Sequence, residues 1–401
     1  MATRETASEP TLRIALVCPY SLSRPGGVQG QVVGLARALE TRGHRTTVFA
    51  PLDDPADAPT GIELVTTGHS VSLPANGSIA PVTISPRQVA RALHLLQSRP
   101  LDVAHVHEPF PPGLPYGLLA SRHVPPLVAT FHRSGPSAFY RLLRPVTRLL
   151  ANRLALRCAV SEAARSTAHK ALGGTYEVLF NGVEIDRFDD VEPWPTGRPS
   201  VLFLGRHEER KGLQVLLGAF ELLLATRDAA PSDVSTDRPQ LWIAGDGPET
   251  EALRRRYPES RDVHWLGVLS EEEKIRRLVA ADVLCAPSLG GESFGMVLLE
   301  AMAARTVVVA SDIAGYRAAA GGRAVLVPPG RKAPLAQSLE AVLSGASATE
   351  PAGAGRVHGD PGRARQRWLT SAADRAGGWS MGHLAERYEA LYRSVVVGPG
   401  A

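Results

Sequence analysis

The chain has 401 residues, 44% of them hydrophobic and 21% charged, which is ordinary for a soluble globular protein of two or three domains. The polar start and the lack of any uncharged apolar run near the roughly 18 residues of a spanning helix exclude, in our expectation, a secreted or integral membrane protein. The net charge of +4 is uneven, because residues 1–185 hold 18 Lys and Arg against 12 Asp and Glu, and this asymmetry permits contact with an anionic surface or substrate.

The first half of the chain alternates apolar runs with helical patterns. Residues 1–10 are polar and are predicted to be a disordered N-terminus. A buried-strand pattern at 12–18 is followed by a Pro/Gly loop and a helix over about 28–42. Strands that alternate with helices favour a parallel, doubly wound sheet, which we assign to residues 11–190. Further strands are predicted at 46–50, 103–106, 127–130 and 155–160.

Two loops in this half carry candidate site residues. Gly26 and Gly27 stand at the start of the first helix, where they could let an anionic group reach backbone amides or form a simple tight turn. They do not make the G-x-G-x-x-G fingerprint of dinucleotide-binding oxidoreductases. His132 directly follows a predicted strand, which places it where such folds bind ligands, whereas His105 and His107 are assigned to structure.

A second cycle of strands and helices begins after a proline-containing linker at 191–199. We assign residues 191–375 to a second doubly wound domain that faces the first across a cleft. Ligands of such folds lie at the carboxyl ends of the strands. The predicted strands are 201–205, 241–245, 263–266, 283–286, 307–310 and 324–327.

Arg206 and Lys211 lie on the loop after the first strand of the second domain. Five residues apart, the two cations can converge on one diphosphate, the guanidinium as a fork and the ammonium as a point charge. The three charged residues between them, Glu208, Glu209 and Arg210, are predicted to be solvated.

The segment from Gly290 to Gly295 leads into an apolar helix over 296–304 whose only charge is Glu300. A carboxylate in that setting needs hydrogen-bond donors, which a ribose supplies, and the glycine-rich turn would let the backbone N–H groups of Ser293, Phe294 and Gly295 approach a phosphate. The alternative is that Glu292 caps the helix and Glu300 pairs with a surface cation. The combination of spacing, glycines and apolar context favours a sugar-nucleotide site.

No Asp-x-Asp pair occurs anywhere in the sequence. A carboxylate pair that grips Mg²⁺ or Mn²⁺ beside a nucleotide diphosphate is therefore absent, and cations with helix N-termini would balance the charge. We predict a site with no metal and no cofactor besides the nucleotide-sugar substrate.

Eight different short motifs occur along most of the chain. They are Val17-Cys18-Pro19-Tyr20-Ser21, Pro25-Gly26-Gly27-Val28-Gln29, Asn76-Gly77-Ser78, His107-Glu108-Pro109, Ala129-Thr130-Phe131-His132, Asn181-Gly182-Val183, Gly290 to Gly295, and Glu300-Ala301-Met302-Ala303. In this order they resemble the retaining GT-B glycosyltransferases, and within them the actinobacterial phosphatidylinositol mannosyltransferases. Glu292 and Glu300 match the Glu-x7-Glu signature of that family.

The resemblance implies roles for individual residues. In the donor site, Arg206 and Lys211 would hold the diphosphate above Gly27, Glu300 the ribose and Glu292 the transferred sugar, while Glu271 and Lys274 would lie near the base, with GDP-mannose as the expected donor. His132 would approach the reacting carbon. Residues 376–401 would form a crossover helix that returns to the first domain, followed by a tail. The inositol site would comprise Tyr20, Gln29, Asn76 and Ser78.

Some positions depart from the family pattern or offer a substitute for it. The family's lysine-rich membrane helix is here Arg87 to His94, with a weaker basic face, and Arg305 stands where the family has glycine. Arg141, Arg144 and Arg148 fall on one face of a predicted helix over 140–152, which Pro145 would interrupt. An anionic membrane surface is therefore a possible partner, and no nucleic acid is expected.

The leading hypothesis is the retaining transfer of mannose from GDP-mannose to a phosphatidylinositol-type lipid. A nearby alternative is a hexosyltransferase with another donor and a soluble or polyprenyl-linked acceptor. From a different class, a sugar-nucleotide epimerase or a non-catalytic nucleotide-sugar binder would use the same fold. Three cysteines without metal spacing indicate a reducing cytoplasm, with the protein free or peripheral on the inner face of the membrane.

Overall fold

The computed structural model describes residues 10–24, 26–75, 78–133, 144–229, 238–292, 294–345 and 361–396. The predicted disordered N-terminus, residues 1–10, lies outside this part apart from Pro10. The chain divides into two compact units. Unit 1 holds the described residues up to Gly182 together with those from Met381 onward, and unit 2 holds Val183–Ser380.

Unit 1 is built on a seven-stranded parallel sheet in the order β3-β2-β1-β6-β7-β8-β9, beside a separate antiparallel hairpin of β4 and β5. The strands are short apolar runs, as expected for a parallel sheet that is covered on both faces. They are β1 (Arg13–Val17), β2 (Arg45–Ala50), β3 (Glu63–Thr66), β4 (Val71–Ala75), β5 (Ser78–Val82), β6 (Val103–His107), β7 (Leu127–Phe131), β8 (Leu156–Ala159) and β9 (Glu177–Val178).

Unit 2 is built on a six-stranded parallel sheet in the order β12-β11-β10-β13-β14-β15. The order reverses at β10 and β13, so the loops after these two strands lie side by side at the switch point of the sheet. The strands are β10 (Ser200–Leu204), β11 (Gln240–Ala244), β12 (Val263–Gly267), β13 (Val283–Ala286), β14 (Val307–Ser311) and β15 (Val325–Val327).

Helices cover both faces of each sheet, and 3₁₀ turns at Ile185–Phe188 and Glu209–Lys211 add to them. The α-helices are α1 (Gly27–Thr41), α2 (Pro86–Gln97), α3 (Leu114–Ala120), α4 (Arg144–Ala151), α5 (Glu162–Leu172), α6 (Leu213–Asp228), α7 (Thr250–Arg256), α8 (Glu271–Ala280), α9 (Met296–Ala303), α10 (Ala314–Ala320), α11 (Lys332–Leu343), α12 (Pro361–Gly377) and α13 (Met381–Val396).

Each sheet separates two hydrophobic clusters. In unit 1, α1 and α13 pack on one face, while α2, α3 and α5 contribute to the cluster on the other. In unit 2, α6 and α11 cover one face, and α8, α9, α10 and α12 the other. The central strands thus bury side chains on both faces, which explains why they were recognisable as apolar runs.

The boundary between the units lies before Val183 rather than at residue 190. The backbone N–H of Val183 donates to the carbonyl of Trp379 at 2.8 Å, and Ile185 and Phe188 pack against the cluster that contains α9. The second boundary lies after Ser380 rather than at residue 375. The difference arises because tertiary packing, and not the proline-containing linker, determines where the chain leaves the first unit.

The described part of helix α4 begins at Arg144, with Pro145 as its second residue. The expectation that Pro145 interrupts a helix over 140–152 stays a prediction. Arg141 lies outside the described residues, as does the part of the predicted helix before Arg144. Two apolar side chains of α4, Val146 and Leu149, are 54% and 71% exposed.

Candidate active site

The loop after β10 carries a buried carboxylate that binds two arginines. Glu208 accepts from Nε of Arg206 at 2.7 Å and from Nε of Arg210 at 2.9 Å, and its side chain is 11% exposed. The interpretation of Glu208 as a solvated charge is therefore wrong, whereas Arg210 is 46% exposed although it is ion-paired. Both oxygens of Glu208 are engaged, which fixes the two guanidinium groups on the same side of the loop.

Glu292, on the loop after β13, completes this cluster. Its Oε1 lies 2.7 Å from Nζ of Lys211 and 2.9 Å from Nη1 of Arg210, and its side chain is 13% exposed. The alternative that Glu292 caps the following helix is wrong, because the N-cap of α9 is Gly295 without a side-chain hydrogen bond. The structure thus brings together Arg206, Lys211 and Glu292, and the missed residues Glu208 and Arg210 connect them.

Close backbone packing joins the two loops. Gly212 has a φ of +69°, and a Cβ atom there would lie 2.1 Å from the carbonyl oxygen of Pro287. The backbone N–H of Leu289 donates to the carbonyl of Arg210 at 2.8 Å. Only glycine can adopt this φ at low cost and also fit against the Pro287 carbonyl. The close packing at Gly212 lets the neighbouring Lys211 approach Glu292.

A second charged cluster surrounds Glu300 on α9. Glu300 lies 3.2 Å from Nζ of Lys274, which also contacts Glu271 at 2.9 Å, and Arg187 contacts Glu271 at 2.7 Å. Burial opposes the charged form of Lys274, but Glu300 and Glu271 outweigh it and raise the pKa of this amine above its usual value. The partner of Glu300 is thus a cation, as the alternative required, but a largely buried one with 20% exposure.

The turn before α9 is formed by Phe294 and Gly295, while Ser293 lies outside the described residues. Gly295 has a φ of +78°, and a Cβ atom there would lie 2.8 Å from the ring of Tyr316. Phe294 makes an edge contact with Trp379, with ring centroids 5.0 Å apart. The expectation that the backbone N–H groups of this turn bind a phosphate stays a prediction.

The other end of α9 explains one departure from the family pattern. Arg305 follows the helix with a φ of +59°, a left-handed conformation that glycine adopts at lower cost. The position therefore calls for glycine on backbone grounds, and this chain tolerates arginine there.

In unit 1, His132 lies at the carboxyl end of β7 beside His107 of β6. Nε2 of His132 is 3.0 Å from Nδ1 of His107, so one ring donates to the other. Burial lowers the pKa of His132 to about 4, which the Asn181 side chain partly offsets, and burial also lowers the pKa of His107. Both rings are therefore neutral at pH 7.

Glu108 supports the loop that carries His132. It is 5% exposed, its φ of +50° is unusual for a residue other than glycine, and its carboxylate accepts from the backbone N–H of His132 at 2.5 Å. Burial raises the pKa of Glu108, with the N–H groups of His132 and Arg133 acting in the opposite direction. Sequence reasoning gave neither Glu108 nor His107 a role, although both lie where parallel strands end.

The four residues predicted to bind the acceptor differ in their surroundings. Burial and the nearby Glu108 raise the pKa of Tyr20. Gln29 uses its side-chain N–H groups on its own loop, donating to the carbonyls of Arg24 at 3.0 Å and Ser21 at 3.3 Å. Asn76 lies outside the described residues, and only the backbone of Ser78 is described, as the first residue of β5.

The two glycines of the first loop differ in their surroundings. Gly26 is extended, and a Cβ atom there would lie 2.4 Å from Oε1 of Gln29. Gly27 begins α1 and has open space around it. Gly27 therefore leaves room for a ligand, whereas the lack of a side chain at Gly26 serves the packing of Gln29.

Comparisons with known proteins identify the family. The family described as Glycosyltransferase Family 4 matches residues 25–187, and Glycosyl transferases group 1 matches residues 198–345. A phosphatidyl-myo-inositol mannosyltransferase of Mycobacterium leprae is 38% identical over 344 residues, which cover 83% of this chain and 87% of that protein. The chain belongs to this glycosyltransferase family. A protein of the same name from Propionibacterium freudenreichii subsp. shermanii is 35% identical over 317 residues, with 76% and 78% coverage.

Solved structures show the same GT-B fold for this glycosyltransferase. Anabaena HepE in complex with UDP and glucose has a TM-score of 0.69 at 19% identity and covers 96% of this chain and 100% of that chain. WaaG, a glycosyltransferase involved in lipopolysaccharide biosynthesis, has a TM-score of 0.61 at 18% identity, with 94% and 99% coverage. Membership of this family makes the chain an enzyme that transfers a glycosyl group, and the alternative of an epimerase or non-catalytic binder is wrong.

The geometry of this glycosyltransferase suits anionic ligands in unit 2. Three cations, Arg206, Arg210 and Lys211, stand around Glu292 and Glu208 at the switch point of the sheet. In the part of the chain that the structure describes, no group of three or more His, Cys, Asp or Glu side chains could hold a metal ion. Within the same residues, no helix has both the length and the apolar content needed to cross a membrane.

Proposed function

We propose that this glycosyltransferase moves mannose from GDP-mannose to a phosphatidylinositol-type lipid, with retention of configuration, at the cytoplasmic face of a membrane. The names of the relatives at 35–38% identity support the hexose and the lipid. The observation that carries the proposal is the cluster of Arg206, Arg210, Lys211 and Glu292, which offers cations and a carboxylate at one point.

The cluster has the chemistry of a donor diphosphate site. Glu292 forms ion pairs with both Lys211 and Arg210. The oxygens of a diphosphate would compete for these cations and for Arg206, and the freed Glu292 carboxylate would accept hydrogen bonds from sugar hydroxyls. Charge that develops on the leaving diphosphate would be stabilised by groups already held in place by Glu208.

The cluster around Glu300 suits the nucleoside. Two carboxylates, Glu300 and Glu271, are acceptors for ribose hydroxyls or base amino groups, and the raised pKa of Lys274 keeps its amine charged beside them. Our assignment of Glu300 to the ribose, and of Glu271 and Lys274 to the base, rests on this donor and acceptor inventory and on the family resemblance.

We assign no protein base or nucleophile to the transfer. His132, the candidate nearest to the reacting carbon by resemblance, is neutral at pH 7, and its Nε2 is hydrogen-bonded to Nδ1 of His107. The leaving diphosphate itself would then take up the proton of the acceptor hydroxyl. Catalysis would depend on charge stabilisation and positioning, with no metal ion required.

A membrane surface is the expected location of the acceptor. Val146 and Leu149 on α4 are large exposed apolar side chains, and Arg148 between them is also exposed. Helix α2 presents Arg87 and Arg91 to solvent. Apolar groups flanked by arginine favour the headgroup region of an anionic bilayer.

One observation favours a second candidate, a hexosyltransferase with a soluble or polyprenyl-linked acceptor. The amide N–H groups of Gln29, predicted to bind inositol, are occupied by the carbonyls of Arg24 and Ser21. An acceptor without an inositol ring would not need this amide. The donor half of the proposal is unaffected by this choice.

The test is sugar transfer measured with a panel of GDP- and UDP-hexoses, each with and without phosphatidylinositol vesicles, in the presence of a chelator. We expect lipid-bound mannose from GDP-mannose alone. Transfer only from UDP-hexoses would contradict the donor assignment, and donor turnover without lipid product would favour the second candidate. Activity that is abolished by the chelator and restored by Mg²⁺ would contradict metal independence.

A further inference from the structure

A polar network lies inside the hydrophobic core of unit 1, on the sheet face covered by α1 and α13. It consists of His105 on β6, Thr130 on β7, and Tyr388 and Tyr392 on α13, and none of these residues is more than 2% exposed. Polar groups this deep in a core are costly unless every one of them is paired. Their presence therefore calls for an explanation beyond packing.

The network is fully hydrogen-bonded at its centre. Oγ1 of Thr130 lies 2.7 Å from the hydroxyl of Tyr388 and 2.7 Å from Nε2 of His105. Nδ1 of His105 lies 2.7 Å from the hydroxyl of Tyr392. Both ring nitrogens of His105 thus have a hydroxyl partner, and one of these partners, Tyr392, belongs to the last helix, α13.

A neutral imidazole can satisfy these contacts in two ways. When Nε2 carries the proton, it donates to Thr130 and Nδ1 accepts from Tyr392; when Nδ1 carries the proton, it donates to Tyr392 and Nε2 accepts from Thr130. Each tyrosine hydroxyl therefore influences which nitrogen of His105 is protonated. The ring itself is held in one plane by the two contacts.

His105 is connected to His132 through His107. The rings of His105 and His107 have centroids 4.1 Å apart with an interplanar angle of 34°, and Nδ1 of His107 lies 3.0 Å from Nε2 of His132. His107 is buried, and its Nε2 has no hydrogen-bond partner within the described residues. Its orientation therefore depends on the His105 ring on one side and on His132 on the other.

We propose that Tyr388 and Tyr392 are positioning residues, which hold the His132 ring in one orientation through Thr130, His105 and His107. The inference rests on the proposed function in taking His132 to belong to the transfer site. Packing alone does not need these hydroxyls, because phenylalanine fills nearly the same volume and introduces no buried polar atom.

The experiment compares Tyr388→Phe and Tyr392→Phe with the wild-type full-length chain. Ring ¹⁵N chemical shifts of labelled histidines report the tautomers of His107 and His132 without any substrate. We expect both variants to shift the ring signals of His132. For transfer we expect kcat to fall about tenfold while KM for the donor stays unchanged, because the donor cluster lies in unit 2.

Tyr116→Phe is the matched control, since the hydroxyl of Tyr116 is buried without a hydrogen-bond partner in the described part of the chain. It should change neither the His132 signals nor kcat. Unchanged His132 signals in both folded test variants would overturn the inference, and so would equal changes in the control. A wild-type chain that transfers no sugar would defeat the proposed function but leave the tautomer measurement intact.

A second pair of variants applies if the tyrosine variants do not fold. Thr130→Val removes the central hydroxyl at constant shape, and Thr130→Ser retains it. The inference requires altered His132 signals in the valine variant and wild-type signals in the serine variant. Wild-type signals in both would overturn it.

Discussion

At the scale of single residues, the candidate site depends on carboxylates that order cations. Glu208 is buried between Arg206 and Arg210, and Glu292 lies between Arg210 and Lys211. Glu208 restricts the side chains of Arg206 and Arg210, which would otherwise lose conformational entropy when a donor binds. The loop thus presents its cations in a fixed arrangement before the ligand arrives.

Replacement of Glu208 by glutamine tests this ordering. Glutamine keeps one acceptor oxygen but places an NH₂ group against the second guanidinium, so either Arg206 or Arg210 loses its partner. We expect the affinity for GDP, measured by calorimetry at fixed ionic strength, to fall roughly fivefold, equivalent to about 1 kcal/mol.

Glu209→Gln, one position along the same loop, is the control, because Glu209 is exposed. It should leave GDP affinity unchanged. Tighter binding in the Glu208 variant would contradict the account, since it would mean that Glu208 competes with the diphosphate for the arginines rather than orders them.

The sequence identified the residues that directly follow an apolar strand or stand alone in an apolar helix. Arg206, His132 and Glu300 belong to this group, because their neighbours reveal their local setting. The roles of Glu208 and Arg210 were not predicted, because both residues lie in a run of charges that resembles a solvated loop. Glu108 escaped because a left-handed φ at a glutamate has no signature in the sequence.

At the scale of elements, α13 contributes to one of the two hydrophobic clusters that the sheet of unit 1 separates. Leu384, Ala385, Tyr388 and Tyr392 pack in the cluster with α1. Glu389 adds an ion-pair network, with Nη2 of Arg42 and Nη2 of Arg393 each 2.7 Å from its carboxylate. The network links the end of α1 to the last helix.

This network predicts a pH-dependent contribution to stability. Burial raises the pKa of Glu389, but the hydrogen bonds from Arg393, Arg42 and His44 outweigh it and lower the pKa from 4.5 to about 2. A depressed pKa in the folded state stabilises the fold above pH 4.5, and the stabilisation is lost as the pH falls towards 2. We expect Glu389→Gln to lower the free energy of unfolding by about 1–2 kcal/mol at pH 7.

Denaturant unfolding between pH 7 and pH 3.5 measures this difference. It should stay constant down to pH 4.5 and shrink below that value. Glu386→Gln, an exposed position of the same helix, should have little effect at any pH. A difference that is independent of pH would show that Glu389 acts through packing instead of charge.

The central strands of both sheets were predictable because burial on both faces makes them continuous apolar runs. Four strands, β3, β4, β5 and β9, were not predicted. β3 has only two apolar residues, Leu64 and Val65, and is at least partly exposed along its whole length, while β9 has only two residues. The hairpin of β4 and β5 contains Pro74 and Pro81. These strands owe their formation to neighbouring elements rather than to their own sequence.

At the scale of the whole molecule, the repetition of strand and helix patterns around a proline-containing linker predicted two wound units and a last helix of separate character. The exact boundaries before Val183 and after Ser380 were not predictable, because they depend on contacts between Val183 and Trp379 that are distant in sequence. The prediction of a glycosyltransferase rested on Glu292, Glu300 and the order of the motifs. Amino-acid composition alone would not have indicated this function.

The most direct measurement is the formation of lipid-bound mannose from GDP-mannose and phosphatidylinositol vesicles by the wild-type chain, Glu292→Gln and Glu272→Gln. Glu272 is exposed on α8 and serves as the control. We predict product from the wild type and the control, and a loss of at least about a hundredfold in kcat for Glu292→Gln, with GDP binding retained. No lipid-bound mannose from the wild type, or full activity of Glu292→Gln, would contradict the account.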